Sequence, residues 1–181
     1  MSYVNTTTLD IVEAADIMQQ YPDVSFPNRG WTDEDLAPYG YAELHYDPDP
    51  PTPGVYDNVV EVDPVEIDGK WYSQFTLVPM TPEQVAIKNQ ELWTSYTTDT
   101  QDRLDTFAQT RGYDGILSLC TYATSPTQKY ATEGQYGVSA RDNTWHDFYK
   151  LMDDVNAGLA PMPTNYSEVV AVLPVLEWPN P

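Results

Sequence analysis

Along the first eighty residues the apolar positions come in short runs with a period of two. Beyond them they come in long stripes spaced three and four apart. The first pattern is that of strands and the second that of amphipathic helices. One early stretch breaks the rule. Leu9, Ile11, Val12, Ala15 and Met18 form a stripe over residues 8–20, which predicts a short helix capped by Thr8 or Asp10 and ended by Tyr21-Pro22. Residues 23–31 read as extended, with Val24 and Phe26 on one side. Thr32 to Asp35 predicts a single capped helical turn closed by Gly40. Tyr41 to Tyr46 alternates as a strand, with Tyr41, Glu43 and His45 on one face and Ala42, Leu44 and Tyr46 on the other. Residues 47–54 carry Pro48, Pro50, Pro51 and Pro53, so they form a stiff connector.

Tyr56 to Val62 reads as a strand. Asp68-Gly69 then lies between the apolar alternations Val65 to Ile67 and Lys70 to Val78. Asp-Gly in that setting is the signature of a two-residue hairpin, because both turn positions need a positive φ. Trp71, Phe75 and Leu77 fall on one side of it; Tyr72, Gln74 and Thr76 fall on the other.

Thr81-Pro82-Glu83-Gln84 is a helix start, with a capping hydroxyl, Pro at the first helical position and Gln at the third. The helix runs to about Thr110 and stops at Arg111-Gly112. Its stripe is Val85, Leu92, Tyr96, Leu104, Phe107 and Ala108, with an almost wholly polar middle over 97–103. Such a wet middle predicts an arm linking two packed regions, or two helices with a kink. Further helices are predicted over 113–124, started by Asp114, and over 129–157, ended by Gly158. A last short one is capped by Asn165 or Ser167, and the closing tail is tucked in by Trp178. The expected class is α+β. An acidic α+β domain with a small antiparallel sheet spans 1–80, a long linking helix 81–111, and an all-α domain 112–181. No internal repeat is visible.

Charge changes the picture of partners. The 28 acids and 8 bases give a net charge of -20. Residues 1–69 hold 15 of the acids and one base, Arg29. A surface so negative repels phosphate backbones and anionic lipid, so nucleic acid and membrane are not expected as partners. No apolar run approaches the roughly 18 residues of a membrane helix, and the start of the chain has no basic and apolar leader pattern. The aromatic load is high, with 5 Trp, 14 Tyr and 4 Phe. Such rings anchor interfaces as well as cores.

Candidate chemistry is sparse. Cys120 is the single cysteine, in the apolar run Ile116 to Cys120, and reads as a buried structural thiol. His45 and His146 lack neighbours at metal-ligand spacing. There is no nucleophile elbow and no phosphate-binding glycine loop. Asp47, Asp49 and Asp57 offer hard oxygen ligands around the Pro-rich loop, but without the spacing of a calcium loop, and a solvated acidic loop is the expectation. No catalytic residue, cofactor or metal site is therefore expected.

Two stretches carry a resemblance. The first comprises Tyr39-Gly40-Tyr41-Ala42, Pro50-Pro51, Tyr56, and the run from Val65 through Asp68-Gly69-Lys70-Trp71 to Thr81-Pro82-Glu83. The second comprises Arg103 to Ser118, Glu133 to Tyr136, Ala140 to Trp145, Pro161-Met162-Pro163 and Leu176-Glu177-Trp178-Pro179. Both resemble small proteins encoded in the tail-fibre regions of phages and prophages. The resemblance implies a structural component of a tailed-phage tail, at the baseplate/tail-fibre junction. Such a component is made in the host bacterial cytoplasm, housed in the virion tail and bound to other tail proteins, and oligomerisation within that assembly is compatible with it. It implies equally a tail-fibre assembly chaperone that leaves after assembly. A polysaccharide-binding or hydrolysing tail protein is a remoter alternative, because Trp, Tyr and carboxylates together bind sugars. The protein-interface candidates are Trp71, Tyr72, Trp93, Tyr96, Trp145 and Phe148. Core packing competes as the reading of each, most strongly for Trp71 and Trp145.

Overall fold

The structure is a computed structural model that describes residues 2–28 and 30–179. Arg29, within the stretch expected to be extended, and the last two residues of the expected tail lie outside the described residues. The protein is α+β, and its contacts divide it between Thr81 and Pro82 into two units.

The first unit is built on a five-stranded sheet in the order β2-β1-β3-β5-β4. Strands β1 (Ser2–Asn5) and β2 (Ile11–Glu13) pair antiparallel, and β1 pairs antiparallel with β3 (Tyr41–His45). β4 (Asp57–Ile67) and β5 (Lys70–Pro79) form the expected hairpin. Asp68 and Gly69 have φ of 51° and 77°, as a type I′ turn requires. The sheet was expected to be antiparallel, but β3 joins β5 in parallel, pairing Leu44 with Trp71 and His45 with Tyr72. The Pro-rich connector is long enough to return the chain for this crossover.

The helix expected over 8–20 is shorter. Only α1 (Ala14–Gln20) is helical, because Ile11 and Val12, both β-branched, pair with β1. The Asn5 side chain accepts from the Thr7 and Thr8 amides and shapes the turn between the strands. Glu13 and Asp16 then form a capping box at the start of α1. The single turn α2 (Asp33–Leu36) is capped as predicted by Thr32 and Asp35. It is followed by a 3₁₀ turn that ends at Gly40, φ 76°. Tyr3, Ile17, Trp31, Leu36 and Tyr41 make the core of this unit, with Val12 and Phe26 packed against it.

The second unit holds α3 (Pro82–Gln109), α4 (Ile116–Thr121), α5 (Gln128–Asn156) and α6 (Tyr166–Val170). The polar middle of α3 is not uniformly wet: Thr100 is buried, together with Tyr96, Leu104 and Ala108. Helix α3 thereby shares two cores with its neighbours. One contains Tyr96, Phe148, Val169 and Leu173; the other contains Leu104, Ala108, Ile116 and Leu119. Helix α4 begins later than expected, and its first amide, on Ile116, donates to Asp105 of α3 at 2.7 Å in place of a local cap. Gly134 of α5 lets the 122–124 turn approach closely, since a Cβ there would lie 2.3 Å from the Ala123 nitrogen. Trp178 stacks on Phe107 with centroids 4.2 Å apart and donates to the Thr110 hydroxyl at 2.9 Å.

Candidate protein-binding surface

The β4–β5 hairpin has little cover: of its strand residues only Pro64 and Ser73 are buried. Its register runs from Asp57 opposite Pro79 to Val62 opposite Gln74, and resumes with Val65 opposite Tyr72. Two residues of β4, Asp63 and Pro64, therefore stand opposite one of β5, Ser73, which is a bulge. The bulge has a consequence for the faces. Val62 and Val65 are an odd number of residues apart, so an unbroken strand would point them oppositely. With the extra residue they share a face.

That face carries Val60, Val62, Val65 and Ile67 of β4 and Val78 of β5, with Tyr72, Gln74 and Thr76 among them and Asn58 and Lys70 at its ends. The five aliphatic side chains are each between 39% and 45% exposed. The β4 acids that lie within the ladder, Asp57, Glu61 and Glu66, pair with Pro79, Phe75 and Trp71 and so belong to the opposite face. The opposite face is partly covered by the Pro-rich loop. Asp47 donates its amide to the Ser73 hydroxyl at 3.1 Å, and the Tyr46 and Phe75 rings lie 5.9 Å apart.

The expected interface residues fall in two groups. Trp71 and Tyr72 are half-buried on the hairpin, on opposite faces, with the Tyr72 ring 5.4 Å from His45. Trp93, Tyr96, Trp145 and Phe148 come together in the second unit. Trp93 sits edge-on to both Tyr96 and Phe148, at 5.9 and 5.7 Å, and Trp145 is edge-on to Phe148 at 5.5 Å. Tyr96 is 3% exposed and donates to the Pro163 carbonyl at 3.0 Å, while Phe148 is fully buried. These two rings are interior packing, which corrects their assignment to a surface. Neither can meet a partner without opening the core. Trp93 and Trp145 are half-buried at its margin.

The aliphatic strip was not among the expected residues. A signal for it was present in the run Val59-Val60-x-Val62 followed by Val65-x-Ile67. Placing those residues on one face requires the bulge, and the bulge follows from pairing with β5.

Other polar groups are arranged around structure. The Asp47 carboxylate accepts from the Asp49 amide at 2.9 Å, and the Asp57 carboxylate accepts from the Gly54 amide at 2.9 Å, so both shape their own loop. Among the described residues, no group of three or more His, Cys, Asp or Glu could hold a metal ion, and no helix is long and apolar enough to cross a membrane. Burial pushes the Cys120 thiol up from its ordinary pKa.

The second unit has an open groove of about 770 Å³ between α3 and α5, lined by Gln101, Asp102, Arg141, His146 and the stacked rings of Trp145 and Tyr149. A smaller hollow surrounds Glu133. Burial would raise the Glu133 carboxyl, but hydrogen bonds from Tyr113 and Arg111 outweigh that and hold it below its ordinary value. Burial, reinforced by the bond to Glu133, pushes the Tyr113 hydroxyl up to about 12. That constellation is a satisfied structural cluster: each polar group at its centre has a partner.

No protein family, curated protein or solved structure matches the chain.

Proposed function

We propose that this chain is a non-catalytic structural component of a tailed-phage tail, at the baseplate/tail-fibre junction, and that it works by binding other tail proteins. The observation that carries the binding role is the bare strip Val60, Val62, Val65, Ile67 and Val78. Five neighbouring aliphatic side chains in water are unfavourable, at about 25 cal/mol for each Å² that a partner would cover. A contiguous exposed patch of this kind marks an interaction site more often than chance scatter does. The tail setting rests on the sequence resemblance, whose hairpin motif, Asp68-Gly69-Lys70-Trp71, belongs to the same hairpin.

The apolar character of the strip favours a lasting interface over a transient one, since permanent interfaces are the more hydrophobic class. This supports a component that stays in the virion over a chaperone that leaves. Mass spectrometry of purified virions from the phage carrying this coding sequence tests it. Detection of the chain alongside the known tail proteins is the expected result. Its absence from virions would overturn the reading. Absence combined with failure of the fibre to trimerise without it would establish the chaperone instead.

A further inference from the structure

We propose that the outer edge of β4 accepts an extended partner segment in which aliphatic residues alternate with lysine or arginine. The inference rests on the reading of the hairpin as a protein-binding surface and names the chemistry of what it binds.

Strand β4 ends the sheet, so one side of its eleven residues is an edge. An edge strand presents backbone donors and acceptors to a further strand, and strand addition is a common mode of peptide recognition. A strand laid beside β4 places alternate side chains on the two faces. Those on one face would lie beside Asn58, Val60, Val62, Val65 and Ile67. Those on the other would lie beside Asp57, Val59, Glu61 and Glu66. Aliphatic residues complement the first set and cations the second, because opposite charges across a ladder stabilise it and like charges destabilise it. The alternation of β4 therefore specifies the alternation of its partner. Pro64 has no N–H to offer and is buried at the bulge, so pairing concentrates on residues 57–62.

A second copy of the chain is the poorer occupant. Two β4 edges paired with their aliphatic faces aligned would also bring Glu61 and Glu66 of both copies onto one face. Residues 1–81 carry 15 acids against two bases, Arg29 and Lys70, so the two units would repel as they approached.

The test is calorimetric titration of the full chain with a capped decapeptide of alternating valine and lysine. A peptide of the same composition, with its valines and lysines in separate blocks, serves as the control. Binding of the alternating peptide, and much weaker binding of the blocked one, is expected. The double variant Glu61→Lys, Glu66→Lys should weaken binding by roughly tenfold and should bind a valine–glutamate alternating peptide instead. The variant Val60→Thr, Val62→Thr keeps strand-forming residues and should lose the interaction with its melting temperature unchanged.

Equal binding of the alternating and blocked peptides would overturn the proposal, since charge alone would then explain both. No binding would overturn it too. So would a concentration-dependent dimer abolished by the threonine variant, because a second copy would then be the occupant. Failure here with the chain present in virions refutes the partner chemistry alone. Peptide binding with the chain absent from virions refutes the tail setting alone.

Discussion

One face of a single sheet runs through two very different surroundings. At the β2-β1-β3 end, Val12, Tyr3 and Tyr41 lie on it and are packed beneath Ile17 of α1, Leu36 of α2 and Trp31. At the β5-β4 end, the same face carries Val60, Val62, Val65, Ile67 and Val78, each about two-fifths exposed. Both ends follow the alternation of a half-buried strand, and both are apolar on this face. What separates them is cover. The helices that close the first end are short: α1 has seven residues and α2 four. They protect aromatic side chains near them and leave the long hairpin bare. An apolar residue is thus a core residue only where an element lies over it, and it points to a partner only where several such residues lie together uncovered.

The largest effect that would sharpen this contrast is at the covered end. Trp31 stacks on Tyr3 at 5.3 Å and on Phe26 at 4.4 Å. Trp31→Ala should cost about 3–5 kcal/mol, read as a large fall in the denaturation midpoint of the first unit. A midpoint shift no larger than that of a hairpin valine variant would erase the distinction between the ends.

Ser73→Ala comes next. It removes the acceptor for the buried Asp47 amide on the opposite face of the hairpin. A loss of about 1–3 kcal/mol is expected, because a buried donor left unpaired forfeits its solvation. An unchanged urea midpoint would mean that the Pro-rich loop is not held there.

The smallest stability effect belongs to the bare strip itself. Threonine at positions 60, 62, 65 and 67, tested singly, should change stability by no more than about 0.5 kcal/mol each, as at ordinary surface sites. The four together should lower the binding of a hydrophobic dye to the folded chain. A large stability loss in any one of them would show that it is packed after all.

The contrast also explains which features the sequence made legible. The hairpin was readable because Asp68-Gly69 dictates its turn locally, through two positive φ angles. The helices α3 and α5 were readable from long periodic stripes and from the start at Thr81-Pro82. Features that depend on a distant partner were not. The strand β2 was hidden within a helical spacing, because only pairing with Ser2, Tyr3 and Val4 decides that Ile11 and Val12 are extended. Asp105 caps α4 from another helix. Tyr96 stands both in the apolar stripe of α3 and among the interface candidates, and only α6 and the Pro163 carbonyl, which close over it, decide between the two. The exposed aliphatic strip depends on both the bulge and the lack of cover, and neither is a local property. Trp71 and Tyr72 lie half-buried on the hairpin, and aliphatic residues rather than these rings make up most of its exposed face.

Hydrogen–deuterium exchange of the full chain, with and without the alternating valine–lysine peptide, compares the two ends of the sheet in one experiment. The expected result is slowed exchange confined to residues 57–67, with residues 2–5 and 41–45 unchanged. Exchange unaltered in 57–67, or slowed instead across the second unit, would contradict the assignment of the β4 edge as the binding surface.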